Sequence, residues 1–95
     1  MEHFLGTKTY GADVGGHKVE FEFDKSGVVV NRGRIYVDGT ELDKRAVFWG
    51  KSDLHGELPD GRSFKVEFGS GFFGQLTSVE LELDGEHIPL PRVES

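Results

Sequence analysis

The sequence contains no cysteine, which excludes disulfide bonds and metal sites built on thiolates. Basic residues are also in short supply, since 11 Lys and Arg stand against 17 Asp and Glu for a formal net charge of -6. A surface of that charge repels nucleic acid phosphates and anionic bilayers, so neither is an expected partner. The lack of cysteine fits a reducing compartment, and we expect a cytoplasmic location.

Long hydrophobic runs are missing as well. Residues 1–6 have neither the basic residues nor the apolar length of a signal peptide, and no later stretch is long enough to cross a bilayer. We therefore expect a single soluble domain over residues 1–95, ending in a short tail at 92–95.

Glycine and aromatic residues, by contrast, are well represented, with 14 Gly, eight Phe, two Tyr and one Trp. Three Asp-Gly pairs, Asp38-Gly39, Asp60-Gly61 and Asp84-Gly85, each lie between two stretches of strand-type sequence. An Asp-Gly pair supplies the positive φ angles of a two-residue type I′ turn, so each pair predicts a β-hairpin.

Regular alternation of apolar and polar residues flanks these turns and predicts strands with one buried face. The apolar residues predicted to point inward are Val19, Phe21, Phe23, Ile35, Val37, Phe64, Val66, Phe68, Val79, Leu81 and Leu83. About eight strands in successive hairpins follow from this pattern, and no amphipathic helix is available to cover a single sheet. The predicted fold is therefore an all-β antiparallel β-sandwich without substantial helix.

Strand boundaries are less sharply indicated elsewhere. The first strand is predicted at about residues 3–10, before the loop that holds Gly15-Gly16. A continuous apolar run at 46–49 suggests a bulge or a strand end. Residues 86–90 include Pro89 and suggest an edge strand, whose unpaired backbone groups are one plausible docking site for a partner.

No group of residues specifies a reaction, so the sequence predicts no catalytic residue, no cofactor and no metal ligand. A literal G-x-G-x-x-G motif at 69–74 precedes strand-type sequence instead of the helix of a dinucleotide fold, and indicates a connection where the chain bends. An alternative remains open, a small-ligand or metal-dependent binding protein or enzyme with a site at one end of the sandwich near His55, Glu57 and Trp49.

Three aromatic residues, Trp49, Phe72 and Phe73, form the predicted interaction surface. Neighbouring residues of an extended segment point to opposite faces, so at least one of the two Phe side chains is expected to be exposed. Tryptophan is enriched at binding interfaces. The competing interpretation is that all three side chains cover the ends of the core.

Four segments together carry a resemblance to a known family: HKVEFE at 17–22, IYVDGTE at 35–41, SGF at 70–72 and VELELDGEHIP at 79–89. In order and spacing, over about residues 15–90, they resemble the β-sandwich domains of the Fas apoptotic inhibitory molecule family. The resemblance implies a non-enzymatic domain of two antiparallel sheets that binds a protein partner or itself. It also implies the activities described for that family, which are protection against death-receptor signalling and against protein aggregation.

Overall fold

A computed structural model of the chain describes residues 7–25, 31–47, 50–71 and 76–93. These residues form eight strands: β1 (Thr7–Val14), β2 (His17–Lys25), β3 (Asn31–Val37), β4 (Thr40–Val47), β5 (Gly50–Glu57), β6 (Ser63–Ser70), β7 (Leu76–Leu83) and β8 (Glu86–Pro89). Sheet 1 has the order β1-β2-β3-β4 and sheet 2 the order β5-β6-β7-β8. All neighbouring strands are antiparallel and the sheets pack together, which confirms the predicted β-sandwich. The described ranges contain no helix, and hence none able to cross a membrane.

The inner faces of both sheets carry the apolar residues that the alternation predicted. All of them are buried except Val79, which is partly buried and packs against the core. The sheets meet at Phe21 and Phe68, whose ring centroids lie 4.9 Å apart. Gly33 makes room for this contact, because a Cβ atom there would lie 2.8 Å from Phe68 Cζ and 2.9 Å from Phe21 Cε1. One core therefore lies between the two sheets.

Two of the three Asp-Gly pairs form the predicted turns. Asp38 and Gly39 have φ angles of 51° and 88°, and Asp84 and Gly85 have φ angles of 52° and 79°. Positive φ at both central residues is the requirement of a type I′ turn, and each turn joins two paired strands directly. The prediction is confirmed at both positions.

A further two-residue turn lies at Gly15-Gly16, where both φ angles are positive, 57° and 84°. It pairs Val14 directly with His17 and lets β1 run up to the turn. β1 therefore ends later than the predicted 3–10, and residues 3–6 lie outside the described residues.

The prediction of a type I′ turn at Asp60-Gly61 is wrong. Of the two residues only Gly61 has a positive φ, of 95°. The Leu58 N–H donates to Arg62 O at 2.8 Å, and the Gly61 N–H donates to Leu58 O at 2.9 Å, so three residues form the loop. Pro59 follows Leu58 with φ held at about -65°. That geometry suits a type I turn followed by a left-handed glycine.

The first two residues of the apolar run at 46–49 belong to β4. β4 stops at Val47, and its pairing with β3 stays regular through Ala46 and Val47, so a bulge at these two residues is excluded. Phe48 and Trp49 lie outside the described residues.

A bulge does occur in β4, but nearer its start. Tyr36 pairs with Glu41 and Ile35 pairs with Asp43, so Leu42 is an extra residue of β4 with no paired residue on β3. Because side chains alternate along a strand, one extra residue moves everything after it to the other face of the sheet. From Asp43 onward, β4 therefore presents the opposite face from that of a regular hairpin.

Residues 91–93 cover one edge of sheet 1. Along β1, Pro91 O accepts the N–H of Gly11 at 2.9 Å, and the Val93 N–H donates to Thr9 O at 2.8 Å. In sheet 2, β8 pairs with β7 alone among the described strands, as expected for an edge strand, and it is only four residues long. Short or covered edges limit pairing with other chains.

The bulge also places the carboxylate of Asp43 beside β5, the strand at the other edge of sheet 2. Asp43 Oδ2 accepts the backbone N–H of His55 on the edge strand β5 at 3.0 Å. A charged side chain at that position occupies a donor that would otherwise be open to a further strand.

Candidate functional site

The predicted aromatic interaction surface, Trp49, Phe72 and Phe73, lies outside the described residues. Two large apolar side chains are exposed among the described residues, Leu42 and Val93. They lie at opposite edges of sheet 1, because Leu42 belongs to β4 and Val93 is bonded to β1. The two do not form one apolar patch.

The other predicted site places His55 and Glu57 on the outer face of β5. His55 is 63% exposed, and its Nε2 lies 3.5 Å from Asp53 Oδ2. The neighbouring cavity of about 320 Å³ is lined by His55, Ser63, Phe64, Lys65, Glu82 and Asp84. Within the described ranges, no group of three His, Asp or Glu side chains could hold a metal ion. This end of the described sandwich therefore offers a His-Asp pair and no converging ligand set.

The outer face of sheet 1 carries a connected hydrogen-bond network centred on Arg34. Its Nη1 donates to Glu22 Oε1 at 2.9 Å and its Nη2 donates to Asp24 Oδ2 at 3.4 Å. Tyr36 Oη donates to the same Glu22 oxygen at 3.1 Å. The network follows from the register, which sets Glu22 on β2 directly opposite Arg34 on β3. The three charged side chains are only 22–27% exposed.

The pKa values of both donors of the network are raised. The side-chain interaction with Tyr36, followed by that with Glu22, raises the pKa of Arg34 above its ordinary value. Partial burial raises the pKa of the Tyr36 phenol, with a further contribution from its hydrogen bond with Glu22. Arg34 therefore stays charged and Tyr36 stays a hydroxyl donor over the physiological range.

A cationic cluster adjoins this network at the β3–β4 hairpin. Its members Arg32, Arg34, Lys44 and Arg45 line a cavity of about 400 Å³. Arg34 is paired with carboxylates, whereas Arg32, Lys44 and Arg45 have no ion-pair partner in the described part of the chain. Three cations without an ion-pair partner among the described residues thus lie together in a protein whose net charge is -6.

The outer face of sheet 2 is mainly acidic, in contrast to the cationic cluster on sheet 1. Lys65 lies 3.6 Å from both Glu67 and Glu82, and these two acids, in that order, raise its pKa. Glu67 also faces Glu80 directly across the β6–β7 pair, and His87 Nδ1 lies 3.0 Å from Glu80 Oε1. Carboxylates predominate on this face.

Sequence reasoning missed the cationic cluster, although a signal was present. An R-x-R pair at 32–34 and a K-R pair at 44–45 flank the confirmed turn at Asp38-Gly39. Any hairpin closed by that turn brings the two pairs to the same end of β3 and β4. The bulge decides which side chains share a face, and alternation alone did not locate it.

Comparison with known proteins identifies no relative: no family model matches the chain, and neither a curated protein nor a solved structure matches it.

Proposed function

We propose that this chain is a non-enzymatic, cytoplasmic protein-interaction module that binds its partner through the outer face of sheet 1. The observation that carries the proposal is the Arg34 network beside the cationic cluster. One side of the sheet holds its charges in fixed positions, and the adjoining hairpin holds three cations without partners among the described residues.

Fixed charges favour binding because they are ordered before the partner arrives. Immobilising a long charged side chain on binding costs about 0.5–1.5 kcal/mol, and Arg34 is already held by Glu22 and Asp24. Charges arranged on a surface also direct the encounter and select among partners. The outer face of sheet 1 therefore meets two requirements of a recognition surface.

The described cavities favour a macromolecular partner over a small organic ligand. Small-molecule sites are concave and mainly apolar with a few polar groups, whereas the four described residues that line the cavity at the cationic cluster all carry charge. The resemblance to Fas apoptotic inhibitory molecule domains supports the same class of function, contact with a protein partner. Protection of other proteins against aggregation belongs to the proposal on that basis.

The proposal is tested by affinity capture with three versions of the purified protein. The first is the natural chain, and the second carries Arg32→Glu and Lys44→Glu. The third carries Lys8→Glu and Lys51→Glu, which make the same change of charge at exposed lysines outside the cluster. We expect a common set of proteins on the first and third, and loss of that set from the second.

Light scattering on the same samples shows whether the captured partner is a second copy of the chain. Self-association that disappears with Arg32→Glu and Lys44→Glu supports the proposal in the same way. Identical capture by all three versions, or a monomer with no captured protein, contradicts it.

A further inference from the structure

The bulge at Leu42 brings Lys44 to the face of sheet 1 that carries Arg32 and Arg34, and sets Arg45 opposite Gly33. In a regular two-residue hairpin, Arg34 would face Asp43, giving a favourable pair of opposite charges. The extra residue instead places Arg34 opposite Lys44, and Asp43 opposite Ile35. Arg34 therefore lies beside Lys44, which carries the same charge, although the oppositely charged Asp43 directly precedes Lys44 in the sequence.

Glu22 and Asp24 offset the charge of Arg34, whereas Lys44 has no ion-pair partner among the described residues. Like charges directly across a strand pair are destabilising, and opposite charges are stabilising. Asp24 faces Arg32 in the β2–β3 register, but its carboxylate is bonded by Arg34. Bulges are frequent beside functional sites, where they redirect side chains. An anion bound between Arg32, Lys44 and Arg45 would pair with the charges that remain.

The number and type of the cations indicate a multiply charged oxyanion. Arg32, Lys44 and Arg45 contribute three positive charges without described partners. One carboxylate would neutralise one of these charges, whereas a phosphate monoester carries close to two at neutral pH. Guanidinium groups present paired donors that match phosphate oxygens, and lysine adds a point charge.

We infer that the cationic cluster is a binding site for a phosphorylated side chain of a protein partner. The assignment of the phosphoryl group to a protein rests on the proposed function. It is also favoured by the described lining of the cavity, in which all four residues are cationic. Phosphorylation of the partner would then control its docking on sheet 1.

The test is an NMR titration of the full-length, isotope-labelled chain at low salt. The probes are inorganic phosphate, a Gly-Gly-phosphoserine-Gly-Gly peptide, and the same peptide with serine. We expect the phosphopeptide to shift the backbone amides of β3 and β4, with binding at least about tenfold tighter than that of the serine peptide and tighter than that of inorganic phosphate.

Two double variants locate the site. Lys44→Gln with Arg45→Gln removes two exposed cluster cations, and we expect phosphopeptide binding to weaken by about tenfold or more. Lys8→Gln with Lys51→Gln removes the same charge elsewhere and should leave binding unchanged. The amide spectrum of each variant without ligand shows that the fold is retained.

Three results would overturn the inference: no shifts in β3 and β4, equal weakening by both double variants, or inorganic phosphate binding as tightly as the phosphopeptide. Its failure is separable from failure of the proposed function. If a captured partner needs Arg32 and Lys44 but binds equally well after phosphatase treatment, the interaction module stands and the phosphorylated ligand does not.

Discussion

The outer face of sheet 1 and the outer face of sheet 2 are both highly charged, yet they hold their charges differently. On sheet 1, Arg34 lies between two carboxylates with N···O distances of 2.9 and 3.4 Å, and the side chains are about one-quarter exposed. On sheet 2, Lys65 lies 3.6 Å from each of two glutamates that are 47% and 32% exposed. The first arrangement is a fixed network, and the second is a pair of solvated contacts.

The inner faces of the two sheets do not differ in this way. The residues that build the fold are therefore distinct from the outer residues that are free to carry function. Both sheets contribute fully buried aliphatic and aromatic side chains to one core. A fold specified by its interior leaves the outer faces free to diverge. The contrast between those outer faces therefore bears on recognition more than on folding.

The largest expected effect on stability tests whether the inner faces of the two sheets contribute equally to the core. Ile35 on β3 and Leu81 on β7 both have 0% exposure and lie on the third strand of their sheets. Truncating either to Ala removes buried methylene groups and leaves a cavity, so each variant should lower the free energy of unfolding by about 2–5 kcal/mol. Denaturant unfolding measures both values. A loss under about 1 kcal/mol for one of them would show that the sheets do not share the core equally.

The next effect separates the outer faces. Arg34→Met removes the shared donor of Glu22 and Asp24 and leaves two partly buried carboxylates close together. After allowance for solvent screening, we expect a loss of about 1 kcal/mol of unfolding free energy. Lys65→Met, the matched change on sheet 2, should have a smaller effect that salt abolishes. Equal losses, with equal salt dependence, would remove the distinction between a fixed and a solvated network.

The alternation of apolar and polar residues was sufficient to predict the core, because a strand with one buried face requires that alternation. Val19, Phe21 and Phe23 alternate in the sequence and are buried together on one face of β2. The same local logic located Asp38-Gly39 and Asp84-Gly85, where two positive φ angles suit a tight hairpin. Such features depend on a few neighbouring residues, so the sequence alone predicts them.

The candidate site depends on register, which is a property of two strands at once. Arg34 meets Lys44 because Leu42 is an extra residue, and no local pattern around Leu42 distinguishes a bulge from regular alternation. The turn at Asp60-Gly61 was misjudged for a related reason. Pro59 before it restricts φ and selects a three-residue loop, so the Asp-Gly pair did not decide the geometry by itself.

The smallest expected effect extends the comparison to the turns of the two sheets, through their pH dependence. In the loop of sheet 2, side-chain and backbone hydrogen bonds from Arg62 lower the pKa of Asp60 to about 2 from its ordinary 3.8. In the turn of sheet 1, the backbone N–H of Lys18, followed by His17, lowers the pKa of Asp38. Each contact stabilises the fold by holding the ionised form.

A folded-state pKa below the unfolded value means that the folded protein binds fewer protons, so stability falls as the pH falls through that window. The contribution of Asp60 should be complete above about pH 4 and lost progressively toward about pH 2. Urea unfolding across this range should show a shallower pH dependence for Asp60→Asn than for the natural chain. Glu57→Gln, an exposed carboxylate without an ion-pair partner in the described ranges, is the matched control and should leave the natural slope unchanged. An unchanged slope in Asp60→Asn would show that the Arg62 contact does not persist in solution.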